Sequence, residues 1–284
     1  MVTFEGITNE TALRILTDPL PDDILESYNS LYQINSNQIN CFKKNGFISL
    51  KNVLGGEALI FTLKIIEAAV LIGKEKDKRT LSEKSKYEQS FLQCGYLCWD
   101  FPAVKDFVFG KRFAGIAKNV MEVSGVRLWH DQASFKEPNG RITDVHQDIS
   151  YWPINEGSLT TTMWMALNDV PEEKGCLYFY PGSQKLKEKE YVDIFKHPHH
   201  PEIIKGIEKI TAPLNTGDLT FHSGLTFHGA RPNTSDEIRE GITVIYIADG
   251  NTYDASDSKN SKHKSCLGLN NGDKIDTLYT PLLI

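Results

Sequence analysis

VRLWHDQASFK (126–136), SLTTTMWMALNDV (158–170), CLYFYPGS (176–183), DLTFHSGLTFHGA (218–230) and GITVIYIAD (241–249) are short runs rich in β-branched and aromatic residues, punctuated by Gly, Pro and Asn. Such runs read as strands, and their spacing suits an antiparallel barrel or jelly roll better than alternating βαβ units, which need a helix between successive strands. The chain ahead of them has a different texture. Residues 8–19 (TNETALRILTDP) offer Thr8 or Asn9 as a helix cap, then apolar positions at helical spacing, and end at a proline. Asn35 to Phe42 reads as a helix that feeds KKNGFISLKNVL (43–54), where an Asn-Gly turn meets a short alternating run. Gly56 to Lys74 sets Leu59, Leu63, Ile66, Ala69 and Leu71 at helical intervals and predicts a buried amphipathic helix. The expected architecture is a single domain, 1–284, mainly β with flanking helices (α+β). It is helix-rich over 1–125, with a jelly-roll core mainly over 126–250 and a polar C-terminal segment over 251–284.

Two stretches lack apolar density. KEKDKRTLSEKSKYEQS (74–90) reads as a solvated loop or frayed helix, with a lid over an active site as the alternative. YDASDSKNSKHKSCLGLNNGDKID (253–276) reads as a loop. Lys and Arg number 31 against 37 Asp and Glu, so the net charge of −6 offers no general attraction for phosphate backbones or anionic lipid. Nucleic acid and membrane are therefore not expected as partners. The amino terminus has neither a basic nor an apolar leader region, and no stretch approaches the roughly 20 apolar residues of a membrane span, so a cytoplasmic protein is expected. Cys41, Cys94, Cys98, Cys176 and Cys266 form an odd, scattered set, read as free thiols in a reducing compartment.

The chemistry centres on Asp144-Val145-His146-Gln147-Asp148. On an extended segment the side chains of His146 and Asp148, at i and i+2, point to one face and can grip one metal ion. His228, near the end of a strand-like run, can supply a distant third ligand. Two His and one carboxylate leave three open positions, the arrangement with which Fe(II) oxygenases admit a 2-oxo acid and O2. A His-x-Asp alone is a short motif that a surface His and a turn Asp also produce. Its weight comes from Arg239, at the start of REGITVIYIA, whose planar fork suits a carboxylate; the plainer reading of Arg239 is an exposed strand-end cation. His222 competes with His228 for the third position. His197, His199 and His200, set between prolines, read as a solvated turn. His130 and His263 belong to no constellation.

HQDISYW (146–152), MWMALNDVPEEKGCLYFYPGSQK (163–185) and GDLTFHSGLTFHGARPNTSDEIREGITVIYI (217–247), in that order, resemble the metal segment, tryptophan strand and closing segment of the phytanoyl-CoA dioxygenase family of Fe(II)/2-oxoglutarate oxygenases. The amino-terminal third is similar only through KKNGFISLKNVL. The resemblance implies a double-stranded β-helix (jelly-roll, cupin-like) core and iron held by His146, Asp148 and His228. It also implies a carboxylate clamp at Arg239 and a cosubstrate pocket lined by Trp164. Thr162, on the face of Trp164, can add a hydroxyl. The sequence departs from the family where many members carry Ser two residues after the distal His, because Ala230 stands there. Thr162, Ser134 or Gln132 are then candidates to contact 2-oxoglutarate.

Tyr151 and Trp152 are candidates to wall the substrate pocket, with core packing as the equal alternative, and Gln147 is a candidate substrate contact. The implied cofactors are Fe(II), 2-oxoglutarate and O2. The implied reaction is hydroxylation, desaturation, ring formation or epoxidation of a small organic molecule, with release of succinate and CO2. A metal-binding, non-catalytic cupin-like module is the rival from another class; Arg239 argues against it. A halogenase would need a small residue in place of Asp148, and a zinc hydrolase has no use for Arg239.

Overall fold

In the computed structural model, which describes residues 6–186, 190–256 and 268–284, the first helix starts where the sequence supplies a cap. Thr8 Oγ1 accepts the Thr11 N–H at 3.2 Å and opens α1 (Asn9–Thr17). After α2 (Asp22–Asn29), Asn35 and Gln38 cap α3 (Ser36–Asn45) reciprocally. The helix ends at Gly46, whose φ of 81° is left-handed. A side chain there would also collide with Gln184 and Thr226, so the turn into β1 (Phe47–Leu50) needs glycine for both reasons. Helix α4 (Gly56–Gly73) is apolar around most of its surface and lies buried against α1, α2 and α6 (Pro102–Val108). The short α5 (Leu97–Asp100) and α7 (Lys111–Met121) complete the helices.

The remaining strands are β2 (Leu92–Gly95), β3 (Val126–Phe135), β4 (Thr143–His146), β5 (Thr160–Ala166), β6 (Leu177–Phe179), β7 (Ile210–Ala212), β8 (Leu219–Ser223), β9 (His228–Ala230) and β10 (Gly241–Ala248). They form two antiparallel sheets, β1-β8-β5-β10-β3-β2 and β4-β9-β6-β7. The fold is thus a sheet-rich α+β double-stranded β-helix, as expected from the strand spacing and the resemblance.

The strand period of two decides what each face does. Met163, Met165, Phe221, Val244 and Tyr246 belong to the large apolar core shared with the helices. Their chain neighbours Thr162, Trp164, His222, Thr243 and Ile245 line the cavity on the opposite side. One face of the larger sheet therefore anchors the helical layer, and the other presents a mixed surface toward the second sheet. Both faces are covered, so every residue of β5, β8 and β10 is buried, and simple polar-apolar alternation is muted in the sequence.

The charged stretch 74–90 is a mostly exposed loop of turns, as its composition suggests, and ion pairs hold it in place. Arg79 bridges Asp77 at 2.8 Å and Glu88 at 2.7 Å, and buried Lys84 reaches Glu137 at 2.5 Å. The Arg79 pairs close the segment on itself, the Lys84 pair ties it to Glu137, and Tyr87 lines the cavity. The polar tail is likewise tied down where it is described. Arg127 bridges Asp249 and Asp276, each at 2.6 Å, and Leu283 donates its N–H to Val126 O at 2.9 Å. Residues 257–267 of the expected loop, including His263 and Cys266, lie outside the described residues. Cys41, Cys94, Cys98 and Cys176 are free thiols. Among the described residues no helix is long and apolar enough to cross a membrane.

One buried acid makes stability depend on pH. Burial, then the neighbouring Glu67 charge, push the Glu240 carboxyl up to about 8. The unfolded value is about 4.3, so between there and about 8 the native state holds a proton that the unfolded chain has released; stability falls as pH rises through that window. Glu240→Gln should therefore raise Tm near pH 8 by roughly 2–4 °C for each kcal/mol recovered, and leave it unchanged near pH 4. Equal shifts at both pH values in calorimetry would contradict this.

Candidate metal centre and cosubstrate pocket

The β4–β9 ladder pairs His146 directly with His228, which sets their rings 4.4 Å apart. Asp148 follows in a 3-10 turn beyond the strand end. Its Oδ1 lies 3.6 Å from Nε2 of each histidine, and one ligand atom from each of the three residues falls within 4.8 Å of the others. Such spacing leaves room for one ion among them.

Neighbouring groups fix how the three side chains point. His146 Nδ1 lies 2.8 Å from Asp144 O, and His228 Nδ1 lies 2.9 Å from Thr226 O. A carbonyl can only accept, so each Nδ1 carries the proton and each Nε2 turns a lone pair inward. Burial and then the nearby His222 hold the His228 pKa well below its ordinary value, which keeps the ring neutral. On Asp148, Oδ2 accepts from Thr162 Oγ1 at 2.7 Å and from His222 Nε2 at 3.2 Å, leaving Oδ1 directed at the two histidines. Burial acts to raise the Asp148 pKa, but the surrounding His228, His146 and His222 more than offset it and hold the carboxyl well below its ordinary value.

His222 thus meets the carboxylate on Oδ2, away from the Oδ1 that faces His146 and His228. Thr162, expected to reach 2-oxoglutarate, spends its proton on Asp148. Removing that bond by Thr162→Val should weaken Fe(II) binding roughly tenfold, as loss of groups that orient metal ligands does. An unchanged affinity in anaerobic metal titration would assign Thr162 no such part.

The triad opens into a cavity of about 460 Å³, with Arg239 also on its wall. Arg239 is 2% exposed. Its two terminal nitrogens donate to Gly175 O and Ser134 O, each at 3.0 Å, while Nε is buried without a partner. A guanidinium has five N–H donors, so donors remain unmet. Burial, opposed only by Cys176, pushes its pKa down to about 10, so it remains cationic at neutral pH. A buried cation with unmet donors fits an arriving carboxylate. Trp164 lies beneath it, with the guanidinium carbon 5.2 Å from the ring centroid. Gly241 permits this seat, because a Cβ there would overlap the indole.

Ser134 and Gln132 line the same cavity. The Gln132 side-chain oxygen accepts from Gln93, whose own side-chain oxygen accepts from Tyr87 OH at 3.0 Å. Tyr151 and Trp152 line it as well. Gln147 does not: its Nε2 donates to Leu225 O at 2.8 Å and its Oε1 accepts from Glu190 N at 2.9 Å. Lying between two residues that share a face, it points to the other side.

Tyr87, Phe91, Tyr96, His130 and Phe195 also line the cavity, and the sequence reading did not select them. Tyr87 and Phe195 meet at 4.5 Å between ring centroids, and Phe195 and Tyr151 at 5.7 Å, so separate segments join into one aromatic wall. The only advance signal was Tyr87 and Phe91, two aromatics four residues apart in an otherwise charged stretch.

Residues 42–241 match the sequence profile described as "Phytanoyl-CoA dioxygenase (PhyH)". The chain belongs to the phytanoyl-CoA dioxygenase family. One relative of this phytanoyl-CoA dioxygenase family protein is the phytanoyl-CoA dioxygenase domain-containing protein 1 homolog of Caenorhabditis briggsae. The two are 29% identical over 44% of this chain and 47% of that protein. The chain spans about half the length of the curated relatives it matches first, at 47%, 54% and 49%. Among solved structures, the non-heme alpha ketoglutarate dependent carbocyclase SnoK from nogalamycin biosynthesis is 25% identical. Its TM-score is 0.71, covering 88% of this chain and 96% of that one. The epimerase SnoN, solved with Fe3+, alpha ketoglutarate and nogalamycin RO, shares the fold with a TM-score of 0.73 at 23% identity, over 87% of this chain and 98% of that one.

Proposed function

We propose that this protein is an Fe(II)- and 2-oxoglutarate-dependent oxygenase that hydroxylates an unactivated C–H bond of a small organic molecule. In this reading His146, Asp148 and His228 hold the iron, and Arg239 takes the distal carboxylate of 2-oxoglutarate. The observation that carries it is the shared cavity: a preoriented His-Asp-His set and a buried arginine with an unpaired Nε open into the same space.

When bound, iron and 2-oxoglutarate supply the oxidising power, one atom of O2 entering succinate as CO2 is lost and the other entering the substrate. The protein's own part is geometric. The carbonyls of Asp144 and Thr226 fix the histidine tautomers, and Thr162 and His222 fix the carboxylate. Arg239, resting on Trp164, sets the direction of the cosubstrate. Tyr87, Phe91, Tyr151, Trp152 and Phe195 exclude water and suit a substrate with an apolar or aromatic body. Structural neighbours are named a carbocyclase and an epimerase, so the fold serves outcomes besides hydroxylation.

The test is incubation of purified protein with Fe(II), 2-oxoglutarate and a metabolite extract under 18O2, reading succinate and products by mass spectrometry. Labelled succinate with a labelled hydroxylated product supports the reading. Metal binding with no succinate formed under any condition would favour a non-catalytic binding barrel.

A further inference from the structure

Beside Arg239, behind the cavity wall formed by Thr143, lies a second buried basic side chain. Lys136 is fully buried. Its backbone N–H donates to Arg239 O, and the Arg239 N–H donates to Lys136 O, both at 2.8 Å, so the two basic residues sit side by side. Lys136 Nζ lies 2.5 Å from Arg141 O and 3.2 Å from Thr143 Oγ1. The lysine donates to both, since a carbonyl can only accept and a hydroxyl oxygen has a free lone pair. Thr143 is paired across the β4–β9 ladder with Ala230, and both residues line the cavity with Arg239. Ala230 offers only a methyl group there. With its oxygen engaged by Lys136, Thr143 keeps its own O–H to donate. Two adjacent buried basic groups repel each other, and burial together with Arg239 lowers the Lys136 pKa well below its ordinary value. An anion bound here relieves both costs.

We infer that Thr143 donates its hydroxyl proton to the distal carboxylate of 2-oxoglutarate, and that Lys136 is the positioning residue that fixes the direction of that hydroxyl. The inference rests on the cosubstrate reading of the cavity. It adds a contact from β4, the strand that also carries His146, so one strand ties metal site and cosubstrate site together.

The test is anaerobic calorimetry on the Fe(II)-loaded full chain with two probes: 2-oxoglutarate, and 2-oxopentanoate, which keeps the chelating end but has a methyl in place of the distal carboxylate. Thr143→Val, close in shape, should weaken 2-oxoglutarate about tenfold and leave Fe(II) and 2-oxopentanoate binding unchanged, the effect expected for losing one hydrogen bond to a charged group. Thr143→Ser should restore most of it. Lys136→Met should cost less in the Thr143→Val background than in wild type. If Thr143→Val binds 2-oxoglutarate like wild type, or weakens both probes equally, the donor assignment is wrong while the cosubstrate reading stands. If wild type binds 2-oxopentanoate as tightly as 2-oxoglutarate, there is no carboxylate subsite, and both fall together.

Discussion

His228→Ala is expected to form succinate at a rate lower by on the order of a thousandfold or more, since the ion loses a ligand and its chemistry supplies several kcal/mol of the barrier reduction. The same protein should remain folded. The apolar core that joins the helices to the larger sheet contains none of the three ligands, and separate apolar clusters fill the space around the second sheet. Far-UV circular dichroism should therefore match wild type while anaerobic Fe(II) binding collapses. His222→Ala is the matched comparison. It removes one hydrogen bond to Asp148 and leaves all three ligands in place, so it should cost roughly ten- to a hundredfold in metal affinity. Full activity in His228→Ala with complete loss in His222→Ala would exchange the roles of the two residues.

The order of severity follows from which atoms face the centre, and that was only partly readable beforehand. The i, i+2 spacing of His146 and Asp148 has a direct geometric meaning on an extended chain; here Asp148 lies in a 3-10 turn past the strand end, and its Oδ1 still lies 3.6 Å from both histidine Nε2 atoms. What spacing cannot give is the far side of each group. Thr162 and Trp164 share a face of β5, yet Thr162 bonds to Asp148 while Trp164 supports Arg239, because β8 brings His222 beside the first and Gly241 makes room beside the second. Thr143 was passed over for a similar reason. Its partner Lys136 bonds to it across a loop, and nothing local in the sequence marks that lysine as buried. The segment 74–90 is the mostly exposed loop that its composition suggests, yet Tyr87 within it lines the cavity. Arg79 pairs with Asp77 and Glu88 inside the segment and Lys84 with Glu137 outside it, partners that composition alone does not reveal. The helices, by contrast, were legible from local rules, as the Thr8 and Asn35 caps and the Gly46 stop show.

Arg239→Ala carries the second large effect. Removing a buried partner from a charged pair costs roughly 3–5 kcal/mol, which corresponds to a loss in 2-oxoglutarate affinity on the order of a hundredfold to a few thousandfold. Fe(II) affinity should change little, because none of the hydrogen bonds that orient His146, Asp148 and His228 involves Arg239. Arg239→Lys should recover only part of the loss, since a point charge cannot reproduce the planar fork that already spends two donors on Gly175 O and Ser134 O. Arg231 provides the control: it follows β9 directly, but its guanidinium faces Glu172 at 3.4 Å with 40% of the side chain exposed. Arg231→Ala should bind 2-oxoglutarate like wild type in anaerobic calorimetry. A larger defect in Arg231→Ala than in Arg239→Ala would move the clamp to the other arginine.

The joint claim, that one cavity holds iron on His146, Asp148 and His228 and 2-oxoglutarate against Arg239, is tested most directly by visible absorbance of the anaerobic Fe(II) protein titrated with 2-oxoglutarate. A metal-to-ligand charge-transfer band should appear and saturate at one equivalent of cosubstrate in wild type. It should be absent in His228→Ala and require a far higher concentration in Arg239→Ala. No band in wild type at saturating 2-oxoglutarate, or an undiminished band in His228→Ala, would contradict the account.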